Sequence, residues 1–269
     1  MEMSTTIPKL WLAPMVRIGT LPYRLLALRH GADLVYTEEI IDKKLTNSTR
    51  VLNKQLGTID FIRGKEGALV LRLLEEEKSK LVWQIGSNNP KTALEAAKLI
   101  ENDVKSIDIN MGCPELFSVH GGMGSGLLRK PENALNILKE LVDNIKVPIS
   151  CKIRILPTIS ETLEFIKKMQ SAGIQHLSIH ARTREEMSRG FAHWSVIDEA
   201  KKDPEITIPI NANGDCFCCK DAIEIKKYTN WDSILIARGA CHNPAIFQDI
   251  KDEWSKFDVE KSMVMINYF

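Results

Sequence analysis

The stretch PISCKIRILPTISETLEFIKKMQSAGIQHLSIHA, residues 148–181, decides the fold. It opens on a β-branched and aliphatic run, PISCKIRI (148–155), passes through a helix-type segment from Glu161 to Ala172 that Gly173 stops, and returns to a second strand-type run, HLSIHA (176–181). Strand, helix and strand in succession make a βα unit that repeats. The same alternation extends in both directions. LWLAPM (10–15), LVYTEE (34–39), LVWQIG (81–86) and SIDINMG (106–112) precede it, and IPINANG (208–214) and SILIAR (233–238) follow, which makes eight strands. Between them, Ala93, Ala96, Ala97 and Ile100 recur at i, i+3, i+4, i+7, as do Ala134, Ile137, Leu138 and Leu141 behind Pro131.

Eight strands alternating with helices predict an α/β fold of the (β/α)8 TIM-barrel type, with a doubly wound open sheet as the architecture that alternation alone leaves open. The expected organisation is a barrel over residues 8–245 and the start of a helical domain, barely begun, over 246–269. Residues 50–80 fit least well: TIDFIRGKEGALVLRLLEEEKSK reads as a strand, a turn and a charged segment inserted before the third barrel strand. The final residues, Met263 to Ile266 with Tyr268 and Phe269, form an apolar stripe that calls for a covering partner.

Composition narrows the class of protein. At 269 residues, 44% hydrophobic, 26% charged and a formal net charge of +1, the chain is an ordinary globular domain, and charge alone names no partner. The Lys167-Lys168, Lys201-Lys202 and Lys226-Lys227 pairs sit among acidic residues and read as solvated helix faces. No apolar run approaches the roughly 18 residues that span a bilayer, and the N-terminus has no signal-peptide pattern, so the expectation is a cytoplasmic or nuclear location with no membrane. Six cysteines are too sparse for a disulfide framework, and the C-x-C-C at 216–219 has no second ligand pair, so no metal is expected.

In a barrel, chemistry collects at the C-terminal ends of the strands. Those ends carry Pro14-Met15-Val16, Glu38-Glu39, Gln84, Asn110 with Cys113, Lys152 with Arg154, His180 with Arg182, Asn213-Gly214-Asp215 and Ala237-Arg238-Gly239. A lysine within CKIRI needs an anion or an acceptor if it points inward. His180 could be a hydrogen-bonded core residue, and Gln84 and Asn110 could serve strand ends. The glycines after Asn213 and Arg238 end the seventh and eighth strands, where barrels bind phosphate through backbone N–H groups. Such a ring of amides, Lys and His above a phosphate end suits a planar cofactor with a phosphate tail, for which flavin mononucleotide (FMN) is a match. No G-x-G-x-x-G follows the first strand, against a dinucleotide site of the Rossmann type.

The motifs LAPMVRIGTLPYR, DINMGCP with its glycine-rich sequel, CKIR, IHARTREE, IPINANGD and ARGACHNP resemble, in order and spacing, the tRNA-dihydrouridine synthases, and most of all their eukaryotic branch acting on uridine 20 of the D loop. The resemblance covers Leu12 to about Phe247. It implies an FMN-bound barrel that reduces the uracil C5=C6 bond of tRNA, with NADPH or NADH as electron source. It implies Cys113 as proton donor to C5 after hydride reaches C6. By the same likeness Pro14, Met15 and Val16 line the flavin, and Gln84, Lys152 and His180 hold it. Asn213, Gly214, Asp215, Ala237 and Arg238 take the ribityl phosphate end, and Asn110 and Arg182 neighbour the substrate. His120 departs from the pattern, which leads one to expect Lys before GGMG. Two other classes remain open from the residues alone: an FMN barrel reductase acting on a small molecule, and a non-catalytic RNA- or protein-binding barrel.

Overall fold

The computed structural model describes residues 7–229 and 233–266. Eight parallel strands occupy the positions expected: β1 Lys9–Leu12, β2 Leu34–Tyr36, β3 Leu81–Gly86, β4 Ser106–Met111, β5 Ile149–Arg154, β6 His176–His180, β7 Ile210–Asn213 and β8 Ser233–Ile236. Each pairs with its sequence neighbour, and β1 pairs with β8 at Lys9↔Ser233 through Leu12↔Ile236, so the sheet closes on itself. Closure decides between the two architectures: an open doubly wound sheet leaves two edge strands, and here none of the eight is left unpaired on either side.

Side chains alternate across a strand, so each strand sends one parity outward and the other inward. The outward set, including Ile107, Ile109, Met111, Cys151, Ile153, Leu177, Ile179 and Ala212, joins the large apolar core beneath the helices. Ala93, Ala96, Ala97 and Ile100 on helix Pro90–Ile100 meet it, as do Ala134, Ile137, Leu138 and Leu141 on helix Pro131–Asn144. Inside the barrel the filling is divided. Strands β1, β2, β3 and β8 contribute a small apolar cluster of Trp11, Ala13, Tyr36, Val82 and Leu235. Strands β4 to β7 contribute buried polar groups: Ser150 donates to Asp108 (2.7 Å), and Asn211 reaches His176 (3.0 Å) and Ser178 (3.2 Å). This polar half forms the floor of the site.

Helix ends follow local chemistry. Thr158 caps Ile159–Gln170 by a reciprocal capping box with Glu161, two residues earlier than the sequence suggests, because the cap and not Glu161 opens the first turn. Asn89 caps Pro90–Ile100 by accepting from Lys91 and Thr92 amides.

The segment between β2 and β3 is richer than its sequence suggests. It forms a three-stranded antiparallel sheet, Ser48–Asn53, Thr58–Arg63 and Ala68–Leu74, followed by a 3-10 turn at Glu75–Lys80. The turn is fixed to the helix Leu21–Arg29 by Arg24, whose Nε and Nη2 donate to Glu77 at 2.8 and 2.7 Å while Nη1 donates to the Gly19 carbonyl at 2.7 Å. Both partners are fully buried. After β8, a short helix Arg238–His242, which the sequence does not suggest, leads to a long one, Ile246–Ile266, where a helical segment is expected. The apolar stripe expected at the C-terminus lies outside the residues whose side-chain surroundings are described.

Candidate active site

Two adjoining cavities lie at the C-terminal ends of the strands. The larger, about 790 Å³, is lined by Pro14, Val16, Gln84, Cys113, Lys152 and Arg154 among others. The smaller, about 500 Å³, takes Gly214, Asp215, Phe217, Arg238 and Gly239 from the β7 and β8 loops. His180, Asn213 and Ala237 belong to both, so together they make one elongated cleft.

Cys113 is set by its backbone. Asn110 Oδ1 accepts from the amides of Gly112 (2.9 Å) and Cys113 (3.0 Å), folding the chain into a turn as it leaves β4. The glycine-rich run then returns over it: Ser125 N donates to the Cys113 carbonyl at 2.9 Å. Gly124 makes that return possible, since it has φ +54° and a Cβ there would lie 2.7 Å from the Cys113 oxygen and 2.4 Å from Ser118 Oγ. The thiol is half-buried, and burial, with the charge of nearby Glu39 second, pushes its pKa up to about 11. It is therefore a protonated thiol at neutral pH. Glu39 itself is raised to about 7 by burial, with hydrogen bonds from Cys113, Ser118 and Asn110 opposing, and its Oε2 is buried without a partner.

Lys152 enters the same cleft. No hydrogen bond or salt bridge to its ammonium exists among the described residues, and burial lowers its pKa to about 8, assisted by the Arg154 charge and opposed by Asp108. Its Cα partners across the sheet are Asn110 and Ser178. Gln84 is anchored rather than free: Nε2 donates to Asp108 (2.8 Å) and Oε1 accepts from Asn110 (3.3 Å). Burial raises Asp108 to about 6 against the pull of Gln84 and Ser150. His180 is driven far below the ordinary imidazole range by burial and then by Lys152, Arg154, Arg182 and Arg238, so it is neutral at any working pH. Asn213 donates to the Leu235 carbonyl (2.9 Å), leaving its carbonyl oxygen for the cleft.

At the other end the β7 and β8 loops touch. A Cβ on Gly239 would stand 2.2 Å from the Cys216 carbonyl, a backbone conflict that reserves this position for glycine. Arg238 donates to Asp215 (2.8 Å) and lies over the Phe217 ring, 5.3 Å from its centre.

Not every residue suggested by the sequence faces the cleft. Arg182, expected beside the substrate, is 1% exposed and absent from the linings of both cavities; its guanidinium is spent on the carbonyls of Arg189 and Gly190, on both Asp215 oxygens (2.6 Å each) and on His180 Nε2 (3.3 Å). It braces the loop beneath Asp215. That carboxylate is thereby held by two arginines, so Asp215 has only its backbone to offer a phosphate. Met15 also stands outside both linings, its sulfur accepting from Cys241 at 3.4 Å. His120 lies at the end of the short helix Leu116–His120, outside the linings of both cavities.

Three participants have no role in the set suggested by the sequence. Asp108 orients Gln84, and its signal is an acid at an inward position of SIDIN. Glu39 sits against Cys113. Arg154 donates from Nε to the Gly112 carbonyl (2.8 Å) and from Nη1 to those of Thr183 (3.0 Å) and Met187 (2.6 Å), tying the Cys113 loop to the loop after β6. No grouping of His, Cys, Asp or Glu suited to a metal ion occurs among the described residues.

The family model described as dihydrouridine synthase (Dus) matches residues 11–268. The chain belongs to the dihydrouridine synthase family. Among the relatives of this dihydrouridine synthase chain, the tRNA-dihydrouridine(20) synthase [NAD(P)+] of Schizosaccharomyces pombe is 40% identical over 268 residues, 95% of this chain and 55% of the relative. The protein of the same description from Saccharomyces cerevisiae is 49% identical over 197 residues, 70% of this chain and 51% of the relative. The chain thus spans about half the length of these relatives. Among solved structures, a DHODH from Eimeria tenella in complex with ferulenol superposes with a TM-score of 0.65 at 13% identity, covering 94% of this chain and 82% of the other, which speaks to the barrel alone.

Proposed function

We propose that this chain is the catalytic barrel of a tRNA-dihydrouridine(20) synthase: an FMN-dependent, NADPH- or NADH-driven reduction of the C5=C6 bond of a tRNA uridine. The observation that carries this reading is the pairing, in one cleft, of an ammonium with no protein partner and a thiol kept protonated. The cleft fits FMN on its own terms. Half-buried Lys152 has no anionic partner among the described residues and calls for one, and the far end, lined by Gly214, Arg238 and Gly239, suits a phosphate. The relatives' description, tRNA-dihydrouridine(20) synthase, supports the substrate.

When bound and reduced, FMN supplies the hydride that adds at C6. The rest belongs to the chain. Cys113 gives its proton to C5, and Asn110 keeps the thiol's loop in place. Lys152 offsets negative charge at the flavin, which is why a lysine tolerates an apolar strand. Neutral His180, its Nε2 held by Arg182, and the side-chain oxygen of Asn213 offer hydrogen bonds without adding charge. Gln84, steadied by Asp108, keeps one amide hydrogen for the cofactor. The target base must leave its stack to reach this cleft.

The test is reconstitution with FMN, NADPH and an unmodified tRNA transcript, followed by mass spectrometry of the nucleosides. The expected product is dihydrouridine at one position. Oxidation of NADPH with no two-mass-unit gain in any uridine would end the RNA reading and favour a small-molecule reductase.

A further inference from the structure

Past Val16 and Glu39 the cleft continues into a groove of about 1030 Å³ that the chemistry above does not use. Its walls come from four places: Arg17 after β1, Lys44 on the short helix Asp42–Thr46, Arg63 and Leu69 on the antiparallel insertion, and Phe117 on the helix that follows Cys113. All four lie beyond the ends of the barrel strands.

The cations here differ from three arginines nearby, two on the insertion and one on helix Leu21–Arg29. Arg50 is matched by Asp103, Arg72 by Asp60 and Arg24 by Glu77, each at 2.7 Å or closer. Arg17, Lys44 and Arg63 are exposed, and none makes a salt bridge or side-chain hydrogen bond among the described residues. The acids of the groove offset them weakly. Glu38 Oε2 is engaged by the Arg17 amide at 2.9 Å, and burial holds Glu39 at a pKa of about 7. Arg17 also has φ +64°, a conformation that costs a non-glycine residue energy and turns the chain at the groove's rim. Between the cations, Phe117 and Leu69 are 54% and 51% exposed, apolar faces beside positive charge. Cations with an aromatic and an aliphatic face are the chemistry that holds single-stranded nucleic acid: phosphate on the charges, base on the apolar surface.

We propose that this groove is the subsite for the nucleotide adjoining the one whose base enters the cleft, with Arg17, Lys44 and Arg63 holding its phosphate and Phe117 and Leu69 its base. The proposal rests on the RNA reading given above, and it assigns the antiparallel insertion a role in gripping substrate. The partner is an RNA strand with one nucleotide extruded, because the groove adjoins the cleft that receives the base.

The experiment measures binding of an unmodified tRNA transcript by fluorescence anisotropy at several salt concentrations, alongside steady-state turnover, for wild type and a Lys44→Ala/Arg63→Ala double variant. Flavin content after purification reports folding. The double variant is expected to bind at least tenfold more weakly, with the slope of log K against log salt shallower by about 0.7 for each phosphate that no longer meets a cation. Lys44→Arg/Arg63→Lys should restore most of the affinity. Lys98→Ala/Lys139→Ala, which removes two exposed cations from distant helices, should change little. An affinity and salt slope equal to wild type in the Lys44/Arg63 variant would overturn the subsite, as would an equal loss in the Lys98/Lys139 control or no RNA binding by wild type. The two readings separate cleanly. Wild-type turnover with an unaltered variant KM sinks the subsite alone, whereas a variant-dependent RNA affinity without any dihydrouridine sinks the reductase reading and leaves the subsite standing.

Discussion

Cys113 gains its acidity profile from place, not from type. A free thiol titrates near 8.5, but burial and Glu39 lift this one to about 11, so the thiol stays protonated across the working range. Replacing it with Ala should leave flavin content and NADPH oxidation near wild type while dihydrouridine formation falls by about 100-fold or more, the usual scale of a positioned acid. Mass spectrometry of the product nucleosides checks this, and undiminished product would remove Cys113 from the role. Lys152 gives a pH signature. Its lowered pKa of about 8 means that it is a cation below that value and neutral above, so FMN affinity of the apoprotein should fall as pH rises from about 7 to about 9. Lys152→Met should bind weakly and lose that dependence in a fluorescence titration. At this scale the sequence was legible where a polar residue stood at an inward parity, as in S-I-D-I-N, C-K-I-R and H-L-S-I-H. It was silent on which way a charged group turns: Arg182 follows His180 by two positions, and its guanidinium is consumed by Asp215, two loop carbonyls and the His180 ring instead of entering the cleft.

Elements show where packing overrides pattern. The barrel strands were legible because each is a short run rich in Val, Ile and Leu with polar residues interleaved. The antiparallel insertion was only half legible, since its sequence reads as one strand, a turn and a charged segment, and the other two strands are fixed by pairings such as Asp60 with Arg72 across the ladder. The pair matters for stability. Asp60 also accepts from Thr58 and Asn53, and the Arg72 hydrogen bonds chiefly depress its pKa to about 2. A depressed folded-state value contributes stability above the unfolded value near 3.9 and loses it as pH falls through about 2, so Asp60→Asn should weaken that acid-side dependence in urea melts. The larger effect belongs to the buried Arg24–Glu77 pair. Glu77→Ala leaves a guanidinium stranded without water and should cost about 3–5 kcal/mol, read from the same melts. Where the β7 and β8 loops meet, Gly239→Ala forces a Cβ into the Cys216 carbonyl and should lower FMN affinity more than it lowers the melting temperature of the apoprotein, which calorimetry with and without FMN separates.

The whole molecule joins two fillings in one barrel. The half made by β1, β2, β3 and β8 is apolar apart from Gln84, while the half made by β4 to β7 is polar and rises from Asp108 and Ser150 to Lys152 and His180 in the cleft. The eight barrel strands follow from the alternation of short runs and the family match from motifs in a fixed order, while closure of the sheet is decided by the pairing of β1 with β8. The groove beside the cleft does not follow from either, because its walls come from segments far apart in sequence that only folding brings together. The central claim is that the joined cavities hold FMN against Lys152. Titration of the flavin-free protein with FMN, followed by the visible flavin absorbance, tests it most directly. The account predicts saturable one-to-one binding that Lys152→Ala weakens by at least tenfold; a wild-type protein that takes up no flavin, or a variant that binds it equally well, would contradict it.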